Sequence, residues 1–407
     1  MRKSLAVVAT ICLSLLSPVA LSSAATKAIA VKQMSLMATL PADQNIAGAI
    51  VKASNIYVYG TQATQLGVDG FVSALDATGA TKWTLDLHEG ATNILATAVI
   101  DSAGTLTVFG SSSSLTEVVV SPSVVAFQNP DSVTVDVATP QRNDITEIVI
   151  WKISPEGQLI STAAYDLKSP VLVTGGTSTS KGAVIVGNIS TASGMAGFFL
   201  AVDADGVLSK PVYFGKTDTE LNAVLSKTTG FLIIGASSET ISSKTLKGKR
   251  DGLLLSVNAT GKVLSAVRSS NLNASRSWQS VSGSNFLGGV SRDSNKVEAV
   301  VTQFNANLVP TWTTRFPSLG SALTTDISTT SRAALFASTS TITGLTGWKA
   351  SKGAGITLVF GTNGVLTGAY GATSINSPIS LGYSAQLGLV AVGSGPKGVS
   401  VFHALPR

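Results

Sequence analysis

The chain has 407 residues, of which 44% are hydrophobic and only 12% charged, with a formal net charge of +6. A charge that small, with no basic stripe interleaved with aromatics, excludes nucleic acid as a partner class. A charged fraction about half the usual ~25%, made up by Ser, Thr, Asn and Gly, suits a β-protein and not a helical or disordered one.

In chain order, the first element is a targeting signal. Arg2 and Lys3 form a positive n-region, Leu5 to Leu16 is mostly apolar, and Ser23-Ala24-Ala25 offers small residues for cleavage. Residues 1–25 are expected to be a secretory signal peptide, and 26–407 one β-propeller domain, secreted or held in the cell envelope or periplasm. Cys12 is the one cysteine. It falls inside the apolar run and not at its end, against a lipobox reading. The mature chain then has no disulfide and no thiol chemistry. No later stretch has the ~20 apolar residues of a membrane span.

From Ala47 onward a pattern recurs. A short apolar strand ends in Gly: Ile56 to Gly60, Leu106 to Gly110, Ala183 to Gly187, Phe231 to Gly235, Asn285 to Gly288, Ala334 to Ala337 (with Ala for Gly) and Leu389 to Gly393. The steps between these ends are 50, 77, 48, 53, 49 and 56 residues. The long step holds an insertion from Ser111 to about Asp144, in blade 2. A period near 50 with about four strands is one propeller blade.

A turn follows the third strand of each unit: Asp76-Ala77-Thr78-Gly79, Ser154-Pro155-Glu156-Gly157, Asp203-Ala204-Asp205-Gly206, Asn258-Ala259-Thr260-Gly261 and Gly361-Thr362-Asn363-Gly364. Asp or Asn opens such a turn and Gly supplies the positive φ that closes it. Asn305-Ala306-Asn307-Leu308 lacks the Gly, and Asn307 is expected to take the left-handed position. Inner strands are expected at Ala47 to Lys52, Ile94 to Ile100, Val171 to Thr174, Leu221 to Leu225, Gln279 to Ser282, Leu323 to Ile327 and Ile379 to Tyr383. Outer strands follow six turns, including Val207 to Phe214 in the third unit. The seventh outer strand is missing at the C-terminal end, and Val31 to Leu40 is a spare strand near the start. The expectation is therefore an all-β, seven-bladed β-propeller closed by the N-terminal strand in the last blade. Near-continuous apolar strands support it, because a blade is buried on both faces.

Asp69-Gly70-Phe71-Val72-Ser73-Ala74-Leu75-Asp76-Ala77-Thr78-Gly79-Ala80-Thr81-Lys82-Trp83, with Tyr57-Val58-Tyr59-Gly60-Thr61 before it, resembles bacterial β-propeller repeats of the SBBP type and quinoprotein-like (PQQ-type) repeats. Arg250-Asp251-Gly252 and Trp312 are remnants of the same motif. The resemblance implies a fold and carries over no active residue. Quinoprotein dehydrogenases have adjacent cysteines at the cofactor, which the mature chain lacks, so no cofactor is expected.

No catalytic or metal site is expected. His88 and His403 lie in different blades, which does not suit a Ser/His/Asp triad. Asp203 to Gly206 looks like part of a calcium loop, but the twelfth position is Phe214 and not a bidentate Glu. Trp83, Trp278 and Trp312 are expected to pack between blades. The functional lead is loop length. The loops Ser111 to Asp144, Ala236 to Arg250 and Ser338 to Gly353 share one face, where propellers usually bind. Candidate ligand-binding residues on that face are Lys247, Lys249, Arg250, Trp348 and Lys352, for a protein or envelope-glycan partner. The function read from this is an exported, monomeric, non-enzymatic binding or scaffolding module. The alternatives are a propeller enzyme acting on glycans, as hydrolase or lyase, and a purely structural spacer.

Overall fold

The computed structural model describes residues 28–64, 67–113, 143–350 and 353–405. The segment expected to be a signal peptide lies outside them. Seven sheets follow one another in chain order, each antiparallel in its four main strands. Blade 1 is Gln44–Lys52, Asn55–Thr64, Gly67–Leu75 and Thr81–Leu87. Blade 2 is Asn93–Ile100, Leu106–Ser113, Ile145–Ile153 and Leu159–Asp166. Blades 3 to 6 repeat this order up to Leu366–Ala372, and blade 7 begins at Ser377–Ser384. The architecture is a seven-bladed β-propeller.

The ring closes where the spare strand was expected. Ser35–Thr39 pairs antiparallel with Gly398–Ala404, the last strand of the chain, and is the outer strand of blade 7. The residues before it do something the sequence did not announce. Lys32–Gln33 pairs parallel with Leu366–Ala372, adding a fifth strand to blade 6. Ile29–Ala30 pairs parallel with Leu345–Thr346 in the long loop of that blade. The N-terminal arm therefore straps two blades.

Two apolar faces per sheet explain the continuous runs. Ile148, Val149, Ile150 and Trp151 are all at most 1% exposed, and Phe198 to Leu200 likewise. Successive residues face opposite neighbours, so such a strand packs into two interblade cores. The strand-end Gly has a steric cause. Six inner strands carry a bulge, as between Leu95 and Thr97. The bulge drives a carbonyl toward the facing second strand: a Cβ on Gly110 would lie 2.5 Å from the Ile94 oxygen.

The turns carry the expected chemistry. The Asp76 carboxylate accepts from Thr78 N and Ala80 N, and Asn258 Oδ1 accepts from Thr260 N and Lys262 N. Asp203 is occupied in the same way, by Asp205 N and Val207 N. Gly79, Gly157, Gly206, Gly261 and Gly364 all have φ between 80° and 90°. In the turn lacking Gly, the left-handed residue is Leu308 (φ 57°) and not Asn307. Asn305 Oδ1 still accepts from Asn307 N and Val309 N, which holds the turn in its sister geometry. Leu308 occupies the Gly position, and burial of its side chain in the core between blades 4 and 5 offsets the backbone cost.

These turns also clasp the preceding blade. Trp83 Nε1 donates to the Pro155 carbonyl (3.2 Å) and Trp312 Nε1 to the Thr362 carbonyl (3.0 Å). Tyr165 Oη, four residues further along the outer strand of blade 2, donates to the Gly206 carbonyl (2.9 Å). Nearer the axis, inner strands are stitched together. Thr174 Oγ1 donates to Leu221 O (2.7 Å), Asn222 Nδ2 to Trp278 O (2.9 Å) and Ser380 Oγ to Ala49 O (2.9 Å). Trp278 is fully buried and stands against Gly252, where a Cβ would lie 2.6 Å from the indole Nε1.

Several expected boundaries shift, among them the start of the blade 6 loop, since Ser338 ends a second strand. The outer strand of blade 3 is only Val212–Phe214. Pro211 has no N–H to donate, and Ser209 Oγ accepts from Ala201 N in place of a strand carbonyl. Ser111–Ser113 and Ala236–Ser237 belong to second strands, so their loops start later. Most of the blade 2 insertion, residues 114–142, lies outside the described residues.

Candidate binding face

Antiparallel strands alternate in direction, so the loops between second and third strands lie on the same face as the connections between blades. The blade 4 loop, residues 238–250, is the longest of these loops without a break in the described chain. Its hydrogen bonds show how a polar, Gly-containing segment is held rigid. The Glu239 carboxylate accepts from the backbone N–H of Lys216, Thr217 and Asp218 (2.8–3.0 Å) and from Thr219 Oγ1 (2.9 Å). Burial pushes its carboxyl up, but the hydrogen bonds from the 216–219 segment outweigh it and hold the group down at about 2. At the other end, the fully buried Asp251 carboxylate accepts from Lys247 N and Gly248 N, both at 2.9 Å.

Two arginines lie beneath the loop and are neutralised there. Arg268, its side chain 4% exposed, sits 3.5 Å from Asp251 Oδ2 and donates to the carbonyls of Lys244 and Ser237. Arg250 bridges Asp218 and Glu220, at 2.9 and 2.8 Å. A third, Arg276, is buried, donates to Ser269 Oγ, and lies 5.5 Å over the Trp278 ring. Burial first, and then the neighbouring Arg315, pushes its guanidinium down to about 10. Acidic and basic side chains thus turn inward to fix the loop, while Lys244, Lys247 and Lys249 are exposed on it.

The candidate residues divide accordingly. Lys247 and Lys249 stand exposed on this platform, whereas Arg250 faces down into its ion pairs. Trp348 is a correction: it is 5% exposed, inside the core of blades 5 and 6 with Phe316, Phe336 and Phe360. It plugs the blade 6 loop onto the sheet, because burying a large ring outweighs leaving it in water. Lys349 beside it is exposed. Lys352 lies outside the described residues. Glu239, Asp251 and Arg268, which build the platform, were missed as site residues. Asp251 carried one signal, since it aligns with Asp69 of the repeat motif. Asp69 likewise sits at the start of a third strand, with His88 Nδ1 at 2.6 Å.

The axis offers different chemistry. Among the seven described inner strands the acidic residues are Glu220 and Asp326, at opposite ends of their strands. Glu220 is held by Arg250, and Asp326 accepts from Ser282 Oγ, Ser284 N and Ser284 Oγ. Two carboxylates facing one bond, as glycoside hydrolysis requires, are not assembled by these strands. Among the described residues no group of three or more His, Cys, Asp or Glu is placed to hold a metal ion.

No family model matches the chain, and no curated protein matches it. Solved structures do. The WD40 domain of Toxoplasma gondii coronin superposes with a TM-score of 0.51 at 12% identity, over 93% of this chain and 89% of that one. The Dos1 propeller gives 0.49 at 9% identity, over 93% and 96%. The polysaccharide lyase Uly1 gives 0.48 at 10% identity, over 93% and 97%. Identities this low speak to the fold alone, and the coronin likeness supports the propeller.

Proposed function

We propose that the chain is a non-enzymatic binding module that holds an anionic partner on the loop face over blades 4 to 6. One observation carries this. The blade 4 loop is fastened by Glu239, Asp251 and Arg268 while its three lysines remain exposed. A fixed cationic platform loses little entropy on binding, and a solvated loop needs no such internal scaffold. The blades belong, in this reading, with bacterial propeller repeats of the SBBP or quinoprotein-like type, on the motif Asp69 to Trp83. The protein works outside the cytoplasm, on the strength of the N-terminal Arg2-Lys3 and apolar run. N-terminal sequencing of the exported protein is expected to begin near Thr26, and an uncleaved cytoplasmic product overturns that part.

The test is binding of poly-glutamate and of heparin to the parent and to a Lys244→Ala/Lys247→Ala/Lys249→Ala variant, across a salt series. The parent is expected to bind and to weaken as salt rises. Each exposed charge is worth about 0.2–1 kcal/mol, so the triple variant is expected to lose roughly 3- to 150-fold. Equal retention of parent and variant removes this face from consideration.

A further inference from the structure

Beside the platform, the connection between blades 4 and 5 carries Leu272. It is 79% exposed, the highest value among the described large hydrophobic residues. A scattered surface leucine needs no explanation, but this one is presented on an anchored loop. Ala274 N donates to Asn271 O (3.1 Å), Asn271 Nδ2 to Ser291 Oγ (3.2 Å), and Lys249 N to Ala274 O (2.9 Å). Asn273 takes a left-handed φ of 57° directly after Leu272. Gly248 lies so close that a Cβ on it would meet the Asn271 and Ala274 carbonyls at 2.8 and 2.7 Å. The segments that touch this loop therefore carry Lys247, Lys249 and Arg292, all exposed. Leu319, 50% exposed, stands on the next connection round the ring, between blades 5 and 6.

We propose that Leu272 is the apolar anchor of this face, and that its partner is an acidic protein segment carrying aliphatic side chains among its carboxylates. The proposal rests on the loop-face reading and narrows it. Three cations around one leucine are complementary to carboxylates around an aliphatic group. A glycan supplies the carboxylates but no aliphatic side chain to take the leucine out of water. A bilayer is held by several inserted groups, a single acyl chain giving only marginal attachment, and this loop presents one leucine.

The experiment uses the full chain with four probes: a random copolymer of glutamate and leucine, poly-glutamate, heparin, and vesicles of equal parts phosphatidylcholine and phosphatidylglycerol. The copolymer is expected to bind roughly tenfold tighter than poly-glutamate, the scale of burying one leucine. Leu272→Ser is expected to remove that advantage and leave poly-glutamate binding unchanged. Its side chain is exposed, so the fold does not depend on it. Equal binding of copolymer and poly-glutamate overturns the proposal, as does a Leu272→Ser variant that keeps the preference. So does a Leu272-dependent preference for vesicles or heparin. These results leave the cationic platform standing, because poly-glutamate binding and the lysine variant test that separately.

Discussion

At the scale of single residues, the turn glycines separate two costs that usually come together. Gly206 has φ 90° and nothing within 4 Å of where a Cβ would be. Gly364 has φ 81°, and its Cβ would lie 2.7 Å from Trp312 Cδ2. Gly206→Ala is expected to cost about 1–2 kcal/mol, the price of the left-handed conformation alone. Gly364→Ala adds overpacking against a tryptophan, for about 2–5 kcal/mol in total. Chemical denaturation of both variants checks the difference, and equal losses would mean that the clasp contributes nothing. Glu239 gives a pH prediction. Its folded value, about 2, lies below the ordinary 4.5. The stability it contributes is therefore fully present above pH 4.5 and is lost as pH falls through about 2. Glu239→Gln is expected to be less stable than the parent at neutral pH, with the gap closing between pH 4.5 and 2. A gap that stays constant over that window would show that the carboxylate is not held by these hydrogen bonds.

At the scale of elements, the N-terminal arm is the piece on which closure depends. Met34 and Leu40 are buried against different blade cores. Ser35–Thr39 covers the edge of the last strand, which is otherwise open to pairing with other chains. Starting the chain at Pro41 removes both side chains, worth about 3–6 kcal/mol together. The lost close approach of Met37 to Gly79 of blade 1 adds to this. The expected outcome is a sharply lower melting temperature and concentration-dependent aggregation. A deletion variant as stable as the parent would show that the ring closes without the arm. The repeat made this strand legible, since six outer strands called for a seventh. The parallel pairings of Ile29–Ala30 and Lys32–Gln33 had no such signal. Two-residue contacts leave no periodicity in a sequence. The shortened outer strand of blade 3 was signalled only by Pro211, and its apolar neighbours masked it.

At the scale of the whole molecule, interblade cores, axial stitches and turn clasps recur around the ring, so each blade is held by both neighbours. Trp83, Trp151, Trp278, Trp312 and Trp348 sit in blades 1, 2, 5, 5 and 6. Tryptophan fluorescence therefore samples much of the ring. Fluorescence and far-ultraviolet circular dichroism are expected to give one coincident unfolding transition for the parent. Separated transitions would mean that the blades unfold independently.

The amino-acid sequence by itself determined the blade count, the turn chemistry and the closing strand. Each of these is a local pattern repeated about every 50 residues, and repetition distinguishes signal from accident. It also pointed to the loop face, because loop length is visible in the spacing. The inward and outward division of that loop's charges was decided only by tertiary structure. Lys247, Lys249 and Arg250 are equivalent in a sequence. Arg250 is drawn under the platform because Asp218 and Glu220 arrive from another part of the chain. Trp348 reads as a ligand-binding residue in the sequence for the same reason: the core of blades 5 and 6 that buries it is assembled from strands distant in sequence.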